Sequence, residues 1–298
     1  MTRESWRYIN SGPLSGADNM AIDEAMLESH LAGETPPTLR VYGWLPPAVS
    51  LGRFQRADSS IDLAACRDRA IDVVRRPTGG RAILHTAEEV TFSLALSAAR
   101  LGVTGVMDSY RALAGGIIAA LRLLGLDARL VERSSPSPST AVQDPACFAV
   151  KARCDLVVGS SKLVGSAQVQ RHGAILQQNS LPLRIHLDDW RAVFLRSGHA
   201  PRAVGLWDAA KRTVEFDEVA AALREGFASA FGLTFHDSEL TERELALARE
   251  IAPKTLVTET AGPRFSHAVH RRKETDREAR QRPCPHPSID RVRPLPRG

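Results

Sequence analysis

The stretch VVRRPTGGRAILHTAEEVTFSLAL, residues 73 to 96, carries most of the information about the fold. An apolar run leads into RRPTGG, where two adjacent glycines allow a tight turn, and ILH follows as a second short strand that ends near His85. VTFSLAL then alternates with the period of two that is typical of a strand. The stretch therefore predicts neighbouring strands that are joined directly, as in an antiparallel sheet.

Further strands are predicted on both sides of this stretch. They lie at Leu39 to Tyr42, at Ala48 to Leu51 and in GAILQQNSLPL, and DLVV-GSS-KLVGSAQ predicts a β-hairpin. Because the strands occur in adjacent groups with helices between the groups, we expect an α/β (α+β) fold with one mixed, largely antiparallel sheet flanked by helices. A doubly wound parallel sheet does not fit this order.

Apolar residues at helical spacing predict the helices. The first spans Ala17 to Leu31, with Asp18 as its cap. The second spans Met107 to Leu124 and is interrupted by a pair of glycines, Gly115 and Gly116. Two more are marked by the apolar series from Phe216 to Phe231, which stops at Gly232, and by a capping-box pattern at Thr241 and Glu244.

The net charge of +5 comes from the end of the chain. Residues 261–298 are rich in Pro and Arg and carry a balance of +6, which leaves −1 for residues 1–260. Because this tail has few apolar residues to offset the entropy of ordering it, we expect a folded domain over residues 1–260 and a disordered tail over residues 261–298. A nucleic-acid partner is not expected of the neutral domain, and a polyanion-binding arm is the alternative for the tail.

The cysteines indicate the compartment. The spacing is too irregular for a disulfide framework or a CxxC metal pair among Cys66, Cys147, Cys154 and Cys284. We therefore expect a reducing cytoplasm, and we expect no metal site. No apolar window reaches the roughly 18 residues that a membrane-spanning helix needs. The chain is therefore expected to be cytoplasmic, with no membrane partner.

RRPTGGRAILH is the first candidate site. Glycines at a turn let backbone amides approach a ligand, and Arg75, Arg76 and Arg81 supply positive charge beside them. This combination suits a carboxylate, a phosphate or a thioester carbonyl, and the alternative is an ordinary turn with surface arginines. His85 is a candidate general base or a structural histidine at a strand end.

ACFAVKARCDLVVGSSKLVGSAQ, residues 146 to 168, is the second candidate site. Cys154 has the same strand parity as Leu156 and should point into the apolar layer, where a thiol is inert. Cys147 precedes the strand, at the end of a loop, where a thiol can meet a substrate. Lys162 begins the return strand of the hairpin, and a nearby ammonium group favours the reactive thiolate.

These segments together resemble the lipoate/octanoate protein ligase and transferase family, which is related to the biotin protein ligases. The matching pieces are NMAIDEAML, WLPPAVSLGRFQ, VVRRPTGGRAILHTAEEVTFSLAL and DLVVGSSKLVGSAQVQRHGAILQQNSLPL, in this order across roughly residues 6 to 250. The resemblance implies a biotin/lipoate protein ligase-like catalytic domain with a medium-chain acyl pocket behind the RRPTGG turn. It also implies attack by a lysine from a lipoyl-carrier domain.

Within this family the chain is most similar to the LipM-type octanoyltransferases, in which the acylated cysteine lies in a CF dipeptide fifteen residues before the motif lysine. Cys147 and Phe148 form such a dipeptide, fifteen residues before Lys162. The resemblance therefore implies Cys147 as the nucleophile, with Lys162 as the second catalytic residue. The substrate-binding residues that it implies are Arg75, Arg76, Thr78, Gly79, Gly80, His85, Gly165, Ser166 and Ala167.

The implied reaction moves an octanoyl group from octanoyl-acyl carrier protein to the lysine of a lipoyl-carrier domain such as the glycine cleavage H protein. No cofactor and no metal are implied. The segment IAPKTLVTE departs from the family pattern, because no tyrosine follows Lys254. Two alternatives are an ATP-dependent lipoate-protein ligase, in which Lys162 contacts an adenylate and Cys147 is incidental, and a non-catalytic acyl-binding protein.

Overall fold

Eight strands form the main sheet of the computed structural model, which describes residues 3–57, 60–131, 147–149, 155–194, 201 and 203–257. The strands are β1 (Ser5–Leu14), β2 (Thr38–Trp44), β6 (Glu89–Ser97), β7 (Ala128–Leu130), β8 (Leu156–Val158), β9 (Ser161–Arg171), β10 (Ala174–Pro182) and β11 (Thr234–Asp237). Their order in the sheet is β11-β1-β2-β6-β10-β9-β8-β7. Only the pairs of β1 with β11 and with β2 are parallel, so the sheet is mixed and largely antiparallel, as expected.

A second sheet of three strands corrects the interpretation of the RRPTGG turn. Its order is β4 (Asp72–Arg75), β3 (Ala48–Leu51) and β5 (Ile83–His85). The strands on either side of the turn were expected to follow one another through a tight turn, but β3 lies between them, parallel to β4 and antiparallel to β5. Residues 76–82 therefore form a loop that spans the width of β3.

Helices cover both faces of the main sheet. They are α1 (Gly16–Leu31), α2 (Leu63–Asp68), α3 (Val106–Leu123), α4 (Leu187–Val193), α5 (Leu206–Ala210), α6 (Phe216–Phe231) and α7 (Glu242–Thr255). The side chains of α3 and α6 join the largest apolar cluster, whereas α1 packs with α7 on the opposite face. The site described below lies between the end of the main sheet and the small sheet.

The helix ends follow the predicted signals, with two corrections. The cap of α1 is Ser15, whose hydroxyl accepts a hydrogen bond from the Asp18 backbone N–H, so Asp18 lies in the first turn instead of capping it. The helix α3 runs without a break through Gly115 and Gly116. Gly232 closes α6 with a φ of 64°.

Two predictions fall on residues that the structure does not describe. These are the tail over residues 261–298 and the packing of Cys154. Among the residues that are described, no helix is both long and apolar enough to cross a membrane.

Candidate active site

Cys147 and Lys162, the two predicted catalytic residues, are in contact. Cys147 starts a short 3-10 turn, Cys147–Ala149, and Lys162 is the second residue of β9. The Lys162 Nζ atom donates hydrogen bonds to the Cys147 Sγ atom at 3.3 Å and to its carbonyl oxygen at 3.4 Å. The thiol is partly exposed, whereas Lys162 is only 1% exposed, so the ammonium group acts on the sulfur with little screening by water.

Asp155 completes a line of three groups. Its Oδ1 atom is 2.9 Å from the Lys162 Nζ atom, and both side chains are buried. Burial on its own would lower the pKa of Lys162. Negative charge at Cys147 and Asp155, with the hydrogen bonds to both, raises that pKa above its usual value. Lys162 is therefore held as an ammonium ion between the sulfur of Cys147 and the carboxylate of Asp155.

The hairpin of β8 and β9 sets this geometry. Lys162 pairs with Val157, and the next pair joins Val164 to Leu156, so one extra residue of β9 forms a bulge. Asp155 lies just before β8, two residues before Val157, and alternation along an extended chain brings it to the face of Lys162. The Lys162 backbone is fixed as well, because its carbonyl accepts the Val204 N–H at 2.9 Å.

Phe148 and Gly165 shape the space around the ammonium group. The Lys162 Nζ atom lies 4.9 Å from the centroid of the buried Phe148 ring, a cation–π contact. A Cβ atom on Gly165 would come within 3.3 Å of the ring and 3.4 Å of the Lys162 Cε atom. A side chain at position 165 would therefore crowd Phe148 and Lys162.

The RRPTGG loop adjoins Cys147. The Cys147 N–H donates to the carbonyl of Ala82, the last residue of the loop of residues 76–82, at 2.9 Å. Within the loop, Gly80 has a φ of +92°, a conformation that favours glycine. The Gly80 carbonyl lies so close to Gly52 that any Cβ atom on Gly52 would overlap it. These contacts hold the backbone of the loop against the end of β3.

Arg76 holds the loop from inside. Its guanidinium donates to the carbonyls of Gly79 and Arg81, each at 2.7 Å from Nη2, and to the Ser50 carbonyl at 2.8 Å from Nη1. Burial lowers the pKa of Arg76 to about 10, and charge at Cys147 partly offsets this. The predicted role of Arg76 in binding substrate stays a prediction. Its guanidinium donates to these backbone carbonyls and to the hydroxyls of Ser50 and Thr78, and it interacts electrostatically with Cys147.

Thr78 connects the loop to a buried polar network that the sequence analysis missed. Its hydroxyl donates to Gln178 at 2.8 Å, and Gln178 donates to Asp23 at 2.7 Å. Asp23 also accepts hydrogen bonds from Arg40, Tyr42 and Ser93. The sequence does contain a signal for this network: Asp23 lies on the apolar stripe of the first helix, and Arg40 lies inside the strand TLRVY. Because buried charges are normally paired, these two residues could have been expected to form an ion pair.

His85 is fixed on three sides. Its Nδ1 atom is 2.8 Å from Glu89, its Nε2 atom is 2.7 Å from the Ser50 hydroxyl, and its ring stacks on Trp44 with the centroids 3.8 Å apart. In the neutral imidazole the Nδ1–H group donates to the carboxylate, and Nε2 accepts from the hydroxyl. Both nitrogens are therefore engaged in the core, which favours the structural role for His85 over that of a general base.

Arg75 faces a different space from Cys147. It donates to the carbonyls of Gly52, Arg53 and Gln55, and burial lowers its pKa. It borders a cleft of about 970 Å³ that neither Cys147 nor Lys162 lines. Lys254 is also on this cleft, which is lined by six Lys or Arg and two Glu: Arg53, Arg75, Arg76, Arg171, Arg243, Lys254, Glu24 and Glu28.

Ser166 and Ala167 belong to the wall of the main sheet. The Ser166 hydroxyl donates to Asn179 at 2.8 Å, and Ala167 is buried opposite Gln178, the residue that binds Thr78. Among the described residues no group of three or more His, Cys, Asp or Glu side chains could hold a metal ion. Asp155 was also missed, although its position before a short strand, whose hairpin partner has a lysine as its second residue, was a usable signal.

Sequence comparisons match this chain to one protein family over most of its length. The profile of the lipoyl protein ligase A/B catalytic domain matches residues 15–228. The octanoyltransferase LipM of Kyrpidia tusciae is 40% identical over 269 residues, which cover 86% of this chain and 98% of that protein. The octanoyltransferase LipM of an Exiguobacterium species is 39% identical over 259 residues, covering 83% of this chain and 94% of that protein.

Solved structures show the same fold. A lipoate-protein ligase A bound with ATP superimposes with a TM-score of 0.70 at 29% identity, covering 84% of this chain and 95% of that one. A bipartite lipoate protein ligase from Thermoplasma acidophilum, described with its E2 lipoyl domain, gives a TM-score of 0.69 at 27% identity, covering 86% and 95%. The curated relatives are thus octanoyltransferases, while these structural neighbours are ligases.

Proposed function

The chain belongs to the lipoyl protein ligase A/B catalytic domain family, and from that membership we propose an acyl-transfer cycle centred on Cys147. Curated octanoyltransferases are 34–40% identical to this chain over most of its length. The chain is therefore an octanoyltransferase of lipoate biosynthesis, which is an acyltransferase enzyme. What we propose is the mechanism: a ping-pong transfer through a thioester on Cys147.

The observation that carries this proposal is the contact between the Cys147 Sγ and Lys162 Nζ atoms at 3.3 Å. An ammonium ion beside a thiol favours the thiolate, which is the nucleophilic form. Arg76 adds positive charge on the side of the loop. An enzyme that only forms an adenylate has no need of a thiol in this place.

In the first half-reaction, the Cys147 thiolate attacks the carbonyl carbon of the octanoyl thioester on acyl carrier protein. A C–S bond to Cys147 forms, and the bond to the phosphopantetheine sulfur breaks, so the carrier leaves as a thiolate that takes a proton from water. Atoms and charge balance without ATP, because one thioester replaces another. Octanoyl-acyl carrier protein is the donor that we propose.

The oxyanion of the tetrahedral intermediate requires donors that are already in place. Backbone amides of the Gly79–Gly80 turn or of the segment from Gly165 to Ala167 are our candidates, and the rigid attachment of that loop by Arg76 supports the first. One such donor lowers a barrier by roughly 3 kcal/mol in comparable sites. The Lys162 ammonium ion contributes further positive charge next to the sulfur.

In the second half-reaction, the ε-amine of a carrier lysine attacks the acyl-enzyme. A C–N bond forms, the C–S bond breaks, the Cys147 thiolate is restored, and the proton of the amine passes to solvent. An amide lies below a thioester in free energy, so the step is favourable without ATP. The acceptor that we propose is a lipoyl-carrier domain, for example the glycine cleavage H protein.

A reducing cytoplasm is the compartment that we propose, because the mechanism needs Cys147 as a free thiol. Cys147 and Cys66 are both free cysteines. The acyl pocket that the resemblance implied behind the RRPTGG loop remains a prediction, and the octanoyl chain is not assigned to the charged cleft beside Arg75.

The test is intact mass spectrometry of the protein after incubation with octanoyl-acyl carrier protein and no ATP. We expect an adduct of about 126 Da that neutral hydroxylamine removes, as it removes thioesters. Cys147→Ala should abolish the adduct, whereas Cys154→Ala and Cys66→Ala should keep it. No adduct on the wild-type protein, or one that persists in Cys147→Ala, would contradict the mechanism.

The second half-reaction is tested with the isolated acyl-enzyme. Adding a lipoyl-carrier domain should discharge the adduct and add the same mass to the carrier, on its lysine. The matched reaction with free octanoate and ATP should give no product, because the cycle activates no free acid. Product in that reaction alone would instead indicate an ATP-dependent ligase.

A further inference from the structure

The acyl-enzyme described above places a reactive thioester beside an amine of the enzyme itself. The Lys162 Nζ atom is 3.3 Å from the Cys147 Sγ atom, and the carbonyl carbon of the octanoyl group is bonded directly to that sulfur. The intended nucleophile is a lysine of another protein, which must arrive by diffusion. Lys162, by contrast, already lies next to the thioester.

Because the acyl carbonyl carbon is one bond away from the Cys147 sulfur, it lies within reach of the Lys162 Nζ atom. Reacting atoms held about 3–3.5 Å apart can react with effective molarities of about 10⁵–10⁸ M. A free carrier lysine cannot compete with such a neighbour by concentration. Something other than distance must therefore keep Lys162 from taking the acyl group.

We propose that Asp155 is a positioning residue that keeps Lys162 protonated throughout the cycle, so that the octanoyl group on Cys147 cannot migrate to Lys162. The proposal rests on the proposed function, since it concerns the fate of the Cys147 thioester. An ammonium ion has no lone pair and cannot attack a carbonyl. Lys162 is then unreactive because it is positively charged, whereas the carrier lysine attacks as a neutral amine.

The geometry gives Asp155 this role in the half of the cycle where it is needed. Before acylation, Lys162 has two anionic partners, the Cys147 thiolate and Asp155. Acylation removes the charge of the sulfur, and Asp155, 2.9 Å from Nζ and buried with it, remains. Losing the proton from Lys162 would then remove the positive charge from a buried ion pair, which is unfavourable.

The other charged groups near this pair act in a consistent way. Lys162 is faced by Asp155 from the start of β8 and by Cys147 from the 3-10 turn, and both raise its pKa. Arg76, from the RRPTGG loop, interacts with Cys147 and carries positive charge, so it does not replace Asp155 as a counter-ion. With Asp155 neutralised, the Cys147 carbonyl and the Phe148 ring still favour the ammonium form of Lys162, whereas burial favours the neutral amine.

The side reaction can be written in full. The neutral Lys162 amine attacks the thioester carbonyl, a C–N bond forms, the C–S bond to Cys147 breaks, and Cys147 leaves as a thiolate while the nitrogen loses one proton to solvent. The product is an octanoyl amide on Lys162. The mass is that of the thioester, but an amide resists hydroxylamine and the enzyme is permanently inactive.

The experiment compares Asp155→Asn with the wild-type enzyme. Each is acylated with octanoyl-acyl carrier protein, held without acceptor, treated with neutral hydroxylamine, and analysed by intact and peptide mass spectrometry. Because each unit by which the Lys162 pKa falls makes its neutral form about tenfold more abundant, we expect Asp155→Asn to form the resistant adduct at least about tenfold faster. The adduct should map to Lys162.

Three variants serve as controls. Asp155→Glu keeps the charge and should restore protection at least in part. The double variant Asp155→Asn/Lys162→Arg has a cation that cannot be acylated under these conditions, and should give no resistant adduct. Cys147→Ala should give none either, because the acyl group reaches Lys162 only through the thioester.

A second arm uses the wild-type protein alone and so does not depend on how any variant folds. The isolated acyl-enzyme is held at a series of pH values below the pKa of Lys162, and the rate of resistant adduct formation should rise about tenfold per pH unit. Hydrolysis of the thioester also rises with pH, but it returns unmodified enzyme and is distinguished by mass.

The outcomes separate this inference from the proposed function. If the wild-type protein forms no thioester, the proposed mechanism fails and this inference fails with it. If the thioester forms but Asp155→Asn shows no faster acylation of Lys162, or the wild-type rate does not change with pH, Asp155 has no protective role while the mechanism stands. If Asp155→Asn does not acylate, the wild-type pH series still tests whether protonation of Lys162 blocks the migration, and a rate that is independent of pH contradicts the inference.

Discussion

Two cysteines of this chain have opposite surroundings. Burial raises the pKa of Cys66 to about 11, and its side chain is 1% exposed within an apolar cluster. Cys147 is partly exposed and accepts a hydrogen bond from the Lys162 ammonium ion. Because only thiolates react with iodoacetamide, we expect Cys147 to be alkylated at least about tenfold faster than Cys66 at pH 7. Peptide mass spectrometry over time measures both sites in one sample.

The cause of this selectivity can be tested separately. Replacing the buried ion pair as a unit, with Lys162→Met and Asp155→Leu together, removes the ammonium ion without leaving a buried carboxylate unpaired. Alkylation of Cys147 should slow in this variant, while that of Cys66 stays the same. If the rate at Cys147 did not change, the Lys162 contact would have no influence on the thiol.

At the scale of elements, two adjacent glycines of α3 have different environments. Gly115 is exposed, and a Cβ atom there meets nothing within 4 Å, whereas a Cβ atom on Gly116 would overlap the Phe227 ring of α6. We expect Gly115→Ala to stabilise the protein by about 0.5–1 kcal/mol through helix propensity. Gly116→Ala should destabilise it by about 1–3 kcal/mol through overpacking. Urea denaturation followed by circular dichroism measures both.

Each of the two glycine variants is the control for the other, because they share the helix and the chemical change. Equal effects would mean that the close packing of α3 on α6 does not matter for stability. The pair also explains why the predicted interruption of this helix was wrong. Gly116 is required by the packing of Phe227 in α6, which is more than a hundred residues away in sequence. Helix propensity depends on the local sequence and cannot predict such a contact.

Other elements show how far local signals extend. The αL stop at Gly232 and the capping box at Thr241 are short-range interactions, and the sequence predicted both correctly. The insertion of β3 between β4 and β5 is a long-range pairing, and it turned an expected tight turn into the loop of residues 76–82. In the site, spacing and resemblance predicted Cys147 and Lys162. Predicting Asp155 would have required knowledge of the register in which β8 pairs with β9.

At the scale of the whole molecule, the first strand is joined to the last helix. Arg7 of β1 donates to both carboxylate oxygens of Glu244 in α7, at 2.5 and 2.9 Å, and both side chains are buried. Glu244 also accepts from the Thr241 N–H in the capping box. From the sequence, only the capping box was predicted, because the arginine is 237 residues away in the chain.

Glu244→Gln separates these two roles. Glutamine is also a capping-box residue, so the helix start is preserved, but the charge that pairs with Arg7 is lost. Removing one partner of a buried ion pair typically costs about 3–5 kcal/mol, and we expect a loss of that size in the free energy of unfolding. Glu242→Gln, exposed in the same turn, is the matched control and should change stability by less than about 0.5 kcal/mol. The midpoints of guanidinium denaturation compare them, and equal midpoints would show that the link between the two ends of the domain contributes nothing to its stability.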